Sequence, residues 1–174
     1  GHIESVHSYT NDQNLIDNFH KKVRRGRSAA LNMVITETGA GKAVGQVLPE
    51  LQGKLTANAV RVPTPNVSLA IINLRFAKDI TLEELNDFLR QKAFHSDLKE
   101  QIGFTNSPEV VSTDFVGDRH AGIIDSAATI VNGNKCVLYV WYDNEFGYTA
   151  QLLGLAKEMV GLTYQRYPNF SEST

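Results

Sequence analysis

Hydrophobic and polar residues alternate at the start of the chain. Residues 2–9 have the pattern of a β-strand with Ile3 and Val6 as apolar anchors, and this pattern ends at Asn11 and Asp12. Residues 10–28 follow no sustained period and carry five basic side chains: Lys21, Lys22, Arg24, Arg25 and Arg27. Because long loops inside a compact domain are uncommon and are usually functional, we interpret this irregular segment as a candidate functional loop.

The following part of the chain predicts three strands and one helix. Residues 32–35 predict a short strand, and residues 40–48 predict a helix that Pro49 ends. Residues 55–62 and 67–76 predict two further strands, separated by a segment whose two prolines exclude a helix.

An amphipathic helix is predicted to begin near residue 81. Residues 81–84 have the composition of a capping box, in which a threonine and a glutamate satisfy each other's free backbone N–H groups. The helix that follows has one predicted apolar face: Leu82, Leu85, Phe88 and Leu89.

The sequence after residue 122 predicts an antiparallel meander followed by a helix. Residues 123–124, 128–131 and 135–142 are the predicted strands, with a turn signal between the last two. Asp143 or Asn144 can cap the helix. Its apolar residues recur at three- and four-residue steps: Tyr148, Leu152, Leu155, Ala156 and Met159.

These elements predict an α+β fold. Strands mixed with three or four helices, without strict β-α-β alternation, indicate a mostly antiparallel mixed sheet covered by helices on one face. A chain of 174 residues is long enough for one well-buried core. We expect residues 1–162 to form this domain and the apolar-poor residues 163–174 to be a frayed tail.

Composition narrows the classes of function. A formal net charge of −2 argues against a surface devoted to nucleic acid. The apolar runs are far shorter than the ~20 residues that span a bilayer, so no membrane segment is expected. A single cysteine and the lack of a secretory signal favour the cytoplasm. No cluster has the spacing of metal ligands.

Several residues could carry chemistry. His7, at a strand end, could act as a general base or activate a thiol, although a purely structural histidine is the commoner case. The basic cluster could be a solvated surface, a nucleic-acid patch or a phosphate site. Thr38 and Gly39 precede a helix, whose free N–H groups attract anions, and this favours the phosphate site. A bidentate arginine would be needed as well, and spacing leaves three candidates: Arg25, Arg27 and Arg61.

Two other features favour structural roles. Cys136 lies in the middle of an apolar strand, where a cysteine behaves as a small hydrophobe with a raised pKa. The sequence Gly39-Ala40-Gly41 opens a helix but lacks the third glycine of a dinucleotide-binding fingerprint.

Six strings occur in the order found in one enzyme family. They are VHSYTNDQ at 6–13, RRGRSAA at 24–30, TGAGKAV at 38–44, LPELQGKLT at 48–56, RVPTPNVS at 61–68 and WYDNEFGY at 141–148. With them the chain resembles the catalytic domain of the phosphorylating glyceraldehyde-3-phosphate dehydrogenases. The resemblance extends from His7 to about Leu162.

The resemblance implies an oxidoreductase of glycolysis or gluconeogenesis. It would oxidise and phosphorylate glyceraldehyde 3-phosphate, with NAD or NADP as hydride acceptor and a cysteine thiolate as nucleophile. His7 matches the family's base. The remaining positions match residues that bind the substrate phosphate (Thr10 and Arg61), inorganic phosphate (Arg25, Thr38 and Gly39), and the nicotinamide end of the cofactor (Asn144 and Tyr148).

The chain also departs from the family pattern. The family's nucleophile segment and its nucleotide-binding domain are absent from this sequence, so we expect the fragment alone to bind no cofactor and to be inactive. Asn18 and Phe19 leave the choice between NAD and NADP open. Gly41 departs from the commonest residue, and Glu37 would weaken a phosphate site unless strand alternation turns it away.

Two alternatives remain open at this stage. Relatives that act on erythrose 4-phosphate share most of the six strings. The chain could also act, as it stands, as a non-catalytic oligomerisation module, because the resembling family forms tetramers through this domain and we expect a homo-oligomer.

Overall fold

Seven strands form one mixed sheet in the computed structural model, which describes residues 1–162. The strands are β1 (His2–Ser8), β2 (Val34–Thr36), β3 (Thr56–Val62), β4 (Ser68–Arg75), β5 (Ile102–Thr105), β6 (Gly122–Asn132) and β7 (Lys135–Tyr142). Their spatial order is β2-β3-β1-β4-β7-β6-β5. The pairs β1–β3 and β5–β6 are parallel and the other neighbours are antiparallel. The predicted α+β fold is confirmed, and the predicted tail lies outside the described residues.

The described part of the chain has three α-helices beside the sheet: α1 (Ala40–Val47), α2 (Leu82–His95) and α3 (Phe146–Met159). Helix α2 begins at the predicted capping box, where the Thr81 hydroxyl accepts the Glu84 N–H at 3.2 Å and the Glu84 carboxylate accepts the Thr81 N–H at 2.9 Å. Single turns of tighter helix occur at Val23–Gly26, Pro49–Leu51 and Ser112–Phe115.

Helices α1 and α2 pack on the same face of the sheet. Leu85 of α2 lies in a buried cluster with Cys136 and Leu138 of β7, while Gly41 of α1 approaches the Ala57 side chain of β3. By strand alternation all three sheet residues belong to one face. Burial raises the pKa of the Cys136 thiol, as expected for a cysteine with a packing role.

Within residues 1–162, the opposite face is covered near one corner only. There Val67, Phe115 and Ile123 form a second buried cluster, and the Trp141 ring stacks on Phe115 with centroids 5.4 Å apart. Val67 has a φ of 65°, which is unusual for a β-branched residue and costs of order 1–3 kcal/mol. Packing within this cluster holds Val67 in that conformation.

Two expectations about the strands were wrong. β5 was not predicted, because its four residues include a glycine and form a parallel edge strand with little alternation. The predicted strands 123–124 and 128–131 are one strand, β6, with an irregularity between Asp125 and Ile130. The Asp125 carboxylate accepts the Ala128 N–H at 3.1 Å, so the strand continues through the irregularity.

The predicted apolar faces of two helices are less buried than the periodicity indicated. On α2, Leu85 is buried, whereas Leu82 and Phe88 are exposed. Most of the apolar residues of α3 are also exposed: Tyr148, Leu152, Leu155 and Met159. The spacing on α3 therefore describes an apolar surface that residues 1–162 do not cover.

The turn between β7 and α3 is organised by Asp143, which is 2% exposed. One carboxylate oxygen accepts the N–H groups of Glu145 at 2.9 Å and Phe146 at 2.8 Å, and so caps the helix as predicted. The other accepts the Gly117 N–H at 2.8 Å and the Asn66 amide at 2.9 Å. Asp143 thus joins three separate loops at one end of the sheet.

We predict that Asp143→Ala lowers the free energy of unfolding by about 2–3 kcal/mol, because the helix start and two buried donors lose their acceptor. Urea denaturation measures this change. Asp87→Ala is the matched control, since Asp87 forms only an exposed pair with Arg90 and its loss should cost no more than ~0.5 kcal/mol. Equal effects of the two substitutions would contradict the assigned role of Asp143.

The stabilisation by Asp143 should depend on pH. Burial by itself raises the pKa of Asp143, but the four donors outweigh it and the pKa lies below its ordinary value. A carboxyl whose pKa is lowered by folding stabilises the fold above the ordinary pKa of about 3.9, and this contribution disappears as the pH falls. The difference in unfolding free energy between wild type and Asp143→Ala should therefore shrink below about pH 4. A constant difference would rule out this contribution.

Candidate active site

Strand register places His7, the candidate base predicted from the sequence, beside an arginine. His7 of β1 pairs with Arg61 of β3, and Arg61 pairs with Val34 of β2. Thr36 pairs with Ala59, two residues from Arg61, so its side chain lies on the same face as His7 and Arg61. Three neighbouring strands therefore supply one cluster of polar side chains at the edge of the helix-covered face.

The environment of His7 defines which ring nitrogen is free. The Nδ1 atom lies 2.7 Å from the Ser8 carbonyl oxygen and 3.3 Å from Arg61 Nη1. Because a carbonyl only accepts, the shorter contact assigns the proton to Nδ1 and leaves the Nε2 lone pair available as a base. Burial is the main factor that lowers the pKa of His7; the charges of Arg61 and Arg25 act in the same direction, and the Ser8 bond opposes them. His7 is therefore neutral at pH 7.

Arg61 is held against Thr10. Its Nη1 donates to the Thr10 hydroxyl at 2.8 Å and to the Ser8 carbonyl at 3.2 Å, whereas its buried Nε has no hydrogen-bond partner among residues 1–162. Burial and the nearby charge of Arg25 lower the pKa of Arg61 from its usual value. Arg61 and Thr10 line an open cavity together with Gln13 and Glu145. A bound anion would be stabilised there by a hydroxyl and a guanidinium.

Arg25 belongs to the same cluster and reaches it from the loop. Its Nε donates to the Thr36 hydroxyl at 3.0 Å, and its Nη1 is paired with the Asp12 carboxylate. Asp12 also accepts a hydrogen bond from the Thr10 hydroxyl. One carboxylate therefore lies between the two hydroxyl–arginine pairs, in a position that a phosphate could occupy.

Asp12 and Thr36 are polar members of the cluster that the sequence did not single out. Asp12 is one of two acidic residues, with Asp17, that precede the five basic ones, and this local charge contrast was the available signal. Thr36 lies in the short strand β2, on the same side as Val34. Nothing in the sequence indicated its role, because only the pairing of β2 with β3 shows that its side chain faces the cluster.

Thr38 and Gly39 lie at the start of α1, as predicted. The Thr38 hydroxyl accepts the Ala40 N–H at 3.3 Å, and no hydrogen bond among residues 1–162 joins Thr38 or Gly39 to Arg25. Arg25 instead contacts Thr36. Glu37 faces solvent, with its carboxylate 3.8 Å from the Lys22 ammonium group, so it does not enter the cluster.

Asn144 is hydrogen-bonded to the residue that follows the histidine, whereas among residues 1–162 no hydrogen bond or ring contact joins Tyr148 to the cluster. The Asn144 side-chain oxygen accepts hydrogen bonds from the hydroxyls of Ser8, at 2.9 Å, and Ser68, at 2.8 Å. Ser8 directly follows His7 in β1. The Tyr148 side chain, in the first turn of α3, is 72% exposed.

Cys136 is far from the histidine. It lies six positions before Tyr142 on β7, and Tyr142 is the residue whose ring meets that of His7 at 6.1 Å. At 3.3–3.4 Å per residue this separation is about 20 Å. The only cysteine of the sequence therefore cannot be the thiol that His7 would activate.

The fold and the cluster define a class of protein: an α+β domain that places a histidine beside two arginines at one end of a mixed sheet. The family model "Glyceraldehyde 3-phosphate dehydrogenase, C-terminal domain" matches residues 1–144. The chain belongs to this family.

Curated relatives agree with this assignment. The chain is 64% identical over 168 residues to the glyceraldehyde-3-phosphate dehydrogenase-like protein of Pseudomonas aeruginosa, which aligns 97% of this chain with 36% of that protein. It is 45% identical to the glyceraldehyde-3-phosphate dehydrogenase of Borreliella burgdorferi (92% of this chain, 48% of that one) and 46% identical to glyceraldehyde-3-phosphate dehydrogenase 1 of Bacillus subtilis (90% and 46%). The chain thus spans half or less of the length of these relatives.

The helices of residues 1–162 include none with the length and apolar character that crossing a membrane requires.

The pKa of His7 should respond to the neighbouring charge. We predict that Arg61→Gln raises the pKa of His7, because one of the positive charges that disfavour its protonation is removed. The change is measured by following the His7 ring signals in an NMR pH titration of the purified chain. Arg75→Gln, at the far end of β4, is the matched control and should leave the pKa unchanged. An unchanged or lower pKa in Arg61→Gln would contradict the electrostatic coupling.

Proposed function

We propose that the protein to which this chain belongs oxidises and phosphorylates glyceraldehyde 3-phosphate, with NAD or NADP as hydride acceptor. The observation that carries the proposal is the cluster at the end of β1: a neutral histidine with a free Nε2, flanked by Arg61 on Thr10 and Arg25 on Thr36. A substrate with its own phosphate and a second, inorganic phosphate would need two such anion sites beside one base.

In the proposed division of roles, Thr10 and Arg61 bind the phosphate of the aldehyde. Arg25 binds inorganic phosphate together with Thr38 and the Gly39 N–H at the start of α1. The contact between Arg25 and Thr36 supports an anion site on this side of the cluster, and Thr38 lies two residues further along. Asp12 must leave Arg25 when phosphate binds, because two anions cannot share one guanidinium edge without repulsion.

The reaction requires a base and a thiolate. His7 Nε2 accepts the proton of a cysteine thiol, and the thiolate then adds to the aldehyde carbon. The protonated His7 returns this proton to the alkoxide oxygen of the adduct. His7 then takes the proton up again as the carbon loses a hydride, for which the oxidised cofactor would supply the acceptor, and a thioester results. Inorganic phosphate held by Arg25 displaces the thiolate and gives the acyl phosphate.

The thiol must come from outside this sequence. Cys136 is buried with a raised pKa and lies about 20 Å along the sheet from His7. We therefore propose that this chain alone is inactive and binds no complete cofactor. In the whole protein the reaction would belong to glycolysis or gluconeogenesis in the cytoplasm.

Two residues of this chain fit the nicotinamide end of the cofactor. The oxygen of the Asn144 amide is engaged by two serines, whereas its nitrogen makes no hydrogen bond within residues 1–162 and could donate to a carboxamide oxygen. The exposed ring of Tyr148 could lie beside the nicotinamide ring. Neither residue distinguishes NAD from NADP.

A chimera tests the proposal directly. We predict that replacing the matching region of the Bacillus subtilis relative with residues 7–162 of this chain gives an enzyme that reduces the cofactor with glyceraldehyde 3-phosphate only when inorganic phosphate is present. His7→Asn in this chimera should lower kcat by roughly 10²–10⁴, because the general base is lost. Absorbance of the reduced cofactor at steady state measures both.

The controls separate folding from chemistry. The chimera with His120→Asn, a histidine hydrogen-bonded to Asp118 away from the cluster, should keep its kcat. A well-folded chimera without phosphate-dependent activity would overturn the proposal. If erythrose 4-phosphate is the better substrate in side-by-side assays, the alternative substrate replaces glyceraldehyde 3-phosphate.

A second proposal concerns assembly, and it is compatible with the first. The sheet face opposite α1 and α2 carries half-buried apolar side chains at its centre: Val6, Val60, Leu69 and Ile71. We propose that this face joins copies of the chain in a homo-oligomer, since a contiguous apolar face favours association.

We predict that the chain self-associates and that Ile71→Lys shifts it toward monomer, because a charge would be buried in the interface. Sedimentation velocity over a range of concentrations measures the change. Phe88→Lys is the control, since Phe88 is exposed on the helix-covered side. A strict monomer at high concentration, or equal behaviour of the two variants, would exclude assembly through this face.

A further inference from the structure

Two buried serines converge on the amide of Asn144. Ser8 is fully buried and Ser68 is 2% exposed, and both hydroxyls donate to the Asn144 Oδ1, at 2.9 Å and 2.8 Å. Ser8 ends β1 and Ser68 begins β4, so the two hydroxyls come from adjacent strands. The roles proposed above use neither of them.

The direction of these hydrogen bonds follows from the donors that surround them. The Ser68 hydroxyl oxygen already accepts the Ser8 backbone N–H at 3.2 Å, so its single proton is free to go to Asn144. An amide oxygen has two lone pairs, and the two serine protons occupy both. The Asn144 Oδ1 is therefore saturated inside the protein.

Only the nitrogen of the amide remains for a ligand. If the amide were flipped, its NH₂ group would face the two hydroxyls, and the buried serine protons would have no acceptor. The flipped state is therefore disfavoured, and the side chain presents N–H donors and no acceptor.

The backbone before Ser68 is also held in an uncommon conformation. Val67 has a φ of 65°, in the left-handed region that β-branched residues avoid, and is buried against Phe115 and Ile123. Strained residues persist where the surrounding packing determines them, and they concentrate near functional groups. This conformation fixes the point at which the chain enters β4, and so fixes the Ser68 hydroxyl.

We propose that Ser8 and Ser68 are positioning residues that lock the Asn144 amide in one orientation, so that position 144 recognises a carbonyl oxygen and rejects a group that lacks an acceptor. This inference rests on the proposed function, in which Asn144 meets the carboxamide of a nicotinamide ring. It adds the source of the selectivity, which lies in two hydroxyls that do not touch the ligand.

The first experiment measures the order of the Asn144 side chain in the purified chain, without a ligand. Side-chain ¹⁵N relaxation should give an order parameter near the ~0.85 of rigid backbone, and the Ser8→Ala/Ser68→Ala double variant should fall below about 0.6. Each single variant should give an intermediate value and remains informative if the double variant fails to fold. Ser126→Ala removes a serine hydroxyl that bonds to the Thr105 carbonyl elsewhere, and it should leave the value unchanged.

The second experiment uses a readout that a merely structural role would not change. The chain is titrated with 3-acetyl-1-methylpyridinium, whose carbonyl accepts a hydrogen bond but which has no N–H to donate, and with 1,3-dimethylpyridinium, which has the same charge and ring but no acceptor. The side-chain N–H signals of Asn144 should report about tenfold preference for the acetyl compound, the equivalent of one hydrogen bond. This preference should fall in the double variant, whose amide can turn its oxygen toward the ligand, and persist in Ser126→Ala.

The outcomes separate this inference from the proposed function. An unchanged order parameter in the double variant, or an unchanged preference, would overturn the positioning role even if the chimera is fully active. The absence of any Asn144 response to 3-acetyl-1-methylpyridinium would overturn carbonyl recognition. An inactive chimera with a locked and selective Asn144 would overturn the proposed reaction and leave the positioning role in place.

Discussion

The pairing of β1 between β3 and β4 is the constraint on which the candidate site depends. The parallel pair β1–β3 places His7 opposite Arg61, 54 residues away in the chain, and the antiparallel pair β1–β4 brings the end of β1 to the start of β4. A slip of one residue in either pair would turn each of these side chains to the other face. The backbone hydrogen bonds of the sheet therefore set the position of the base, while loops only add to it.

The electrostatics of the site follow from this placement. Burial lowers the pKa values of His7 and Arg61, and the charge of Arg25 acts on both in the same direction, so the placement favours an anion at this point. Asp12 compensates part of the charge through Arg25, but no carboxylate within residues 1–162 is paired with Arg61. Asp12 belongs to a partly exposed loop, so its exchange for the phosphate of the proposed function would require little change in the sheet.

Local patterns in the sequence predicted what local interactions determine. Residues close together in the chain determine three features that the sequence predicted: the capping box of α2, the cap by Asp143 and most of the strands. Other features depend on contacts between separate segments, which a single sequence does not display. They are the edge strand β5, the continuity of β6 as one strand, and the contact between Arg25 and Thr36. The assignment of roles to residues came from the family resemblance, and spacing alone had left three arginines open.

The burial of side chains shows which parts of the site are held in place by contacts within this chain. The most completely buried side chains are polar ones, Asp143, Ser8 and Ser68, and all three lie at the end of the sheet that carries His7 and Asn144. Large apolar side chains of the 10–28 loop are exposed instead, Phe19 at 90%. Buried and saturated hydrogen bonds hold a geometry without outside help, whereas an apolar loop in water gains order only when another surface covers it. His7 and Asn144 should therefore be preorganised in this chain by itself, while the geometry of Arg25 depends on the surface that covers its loop.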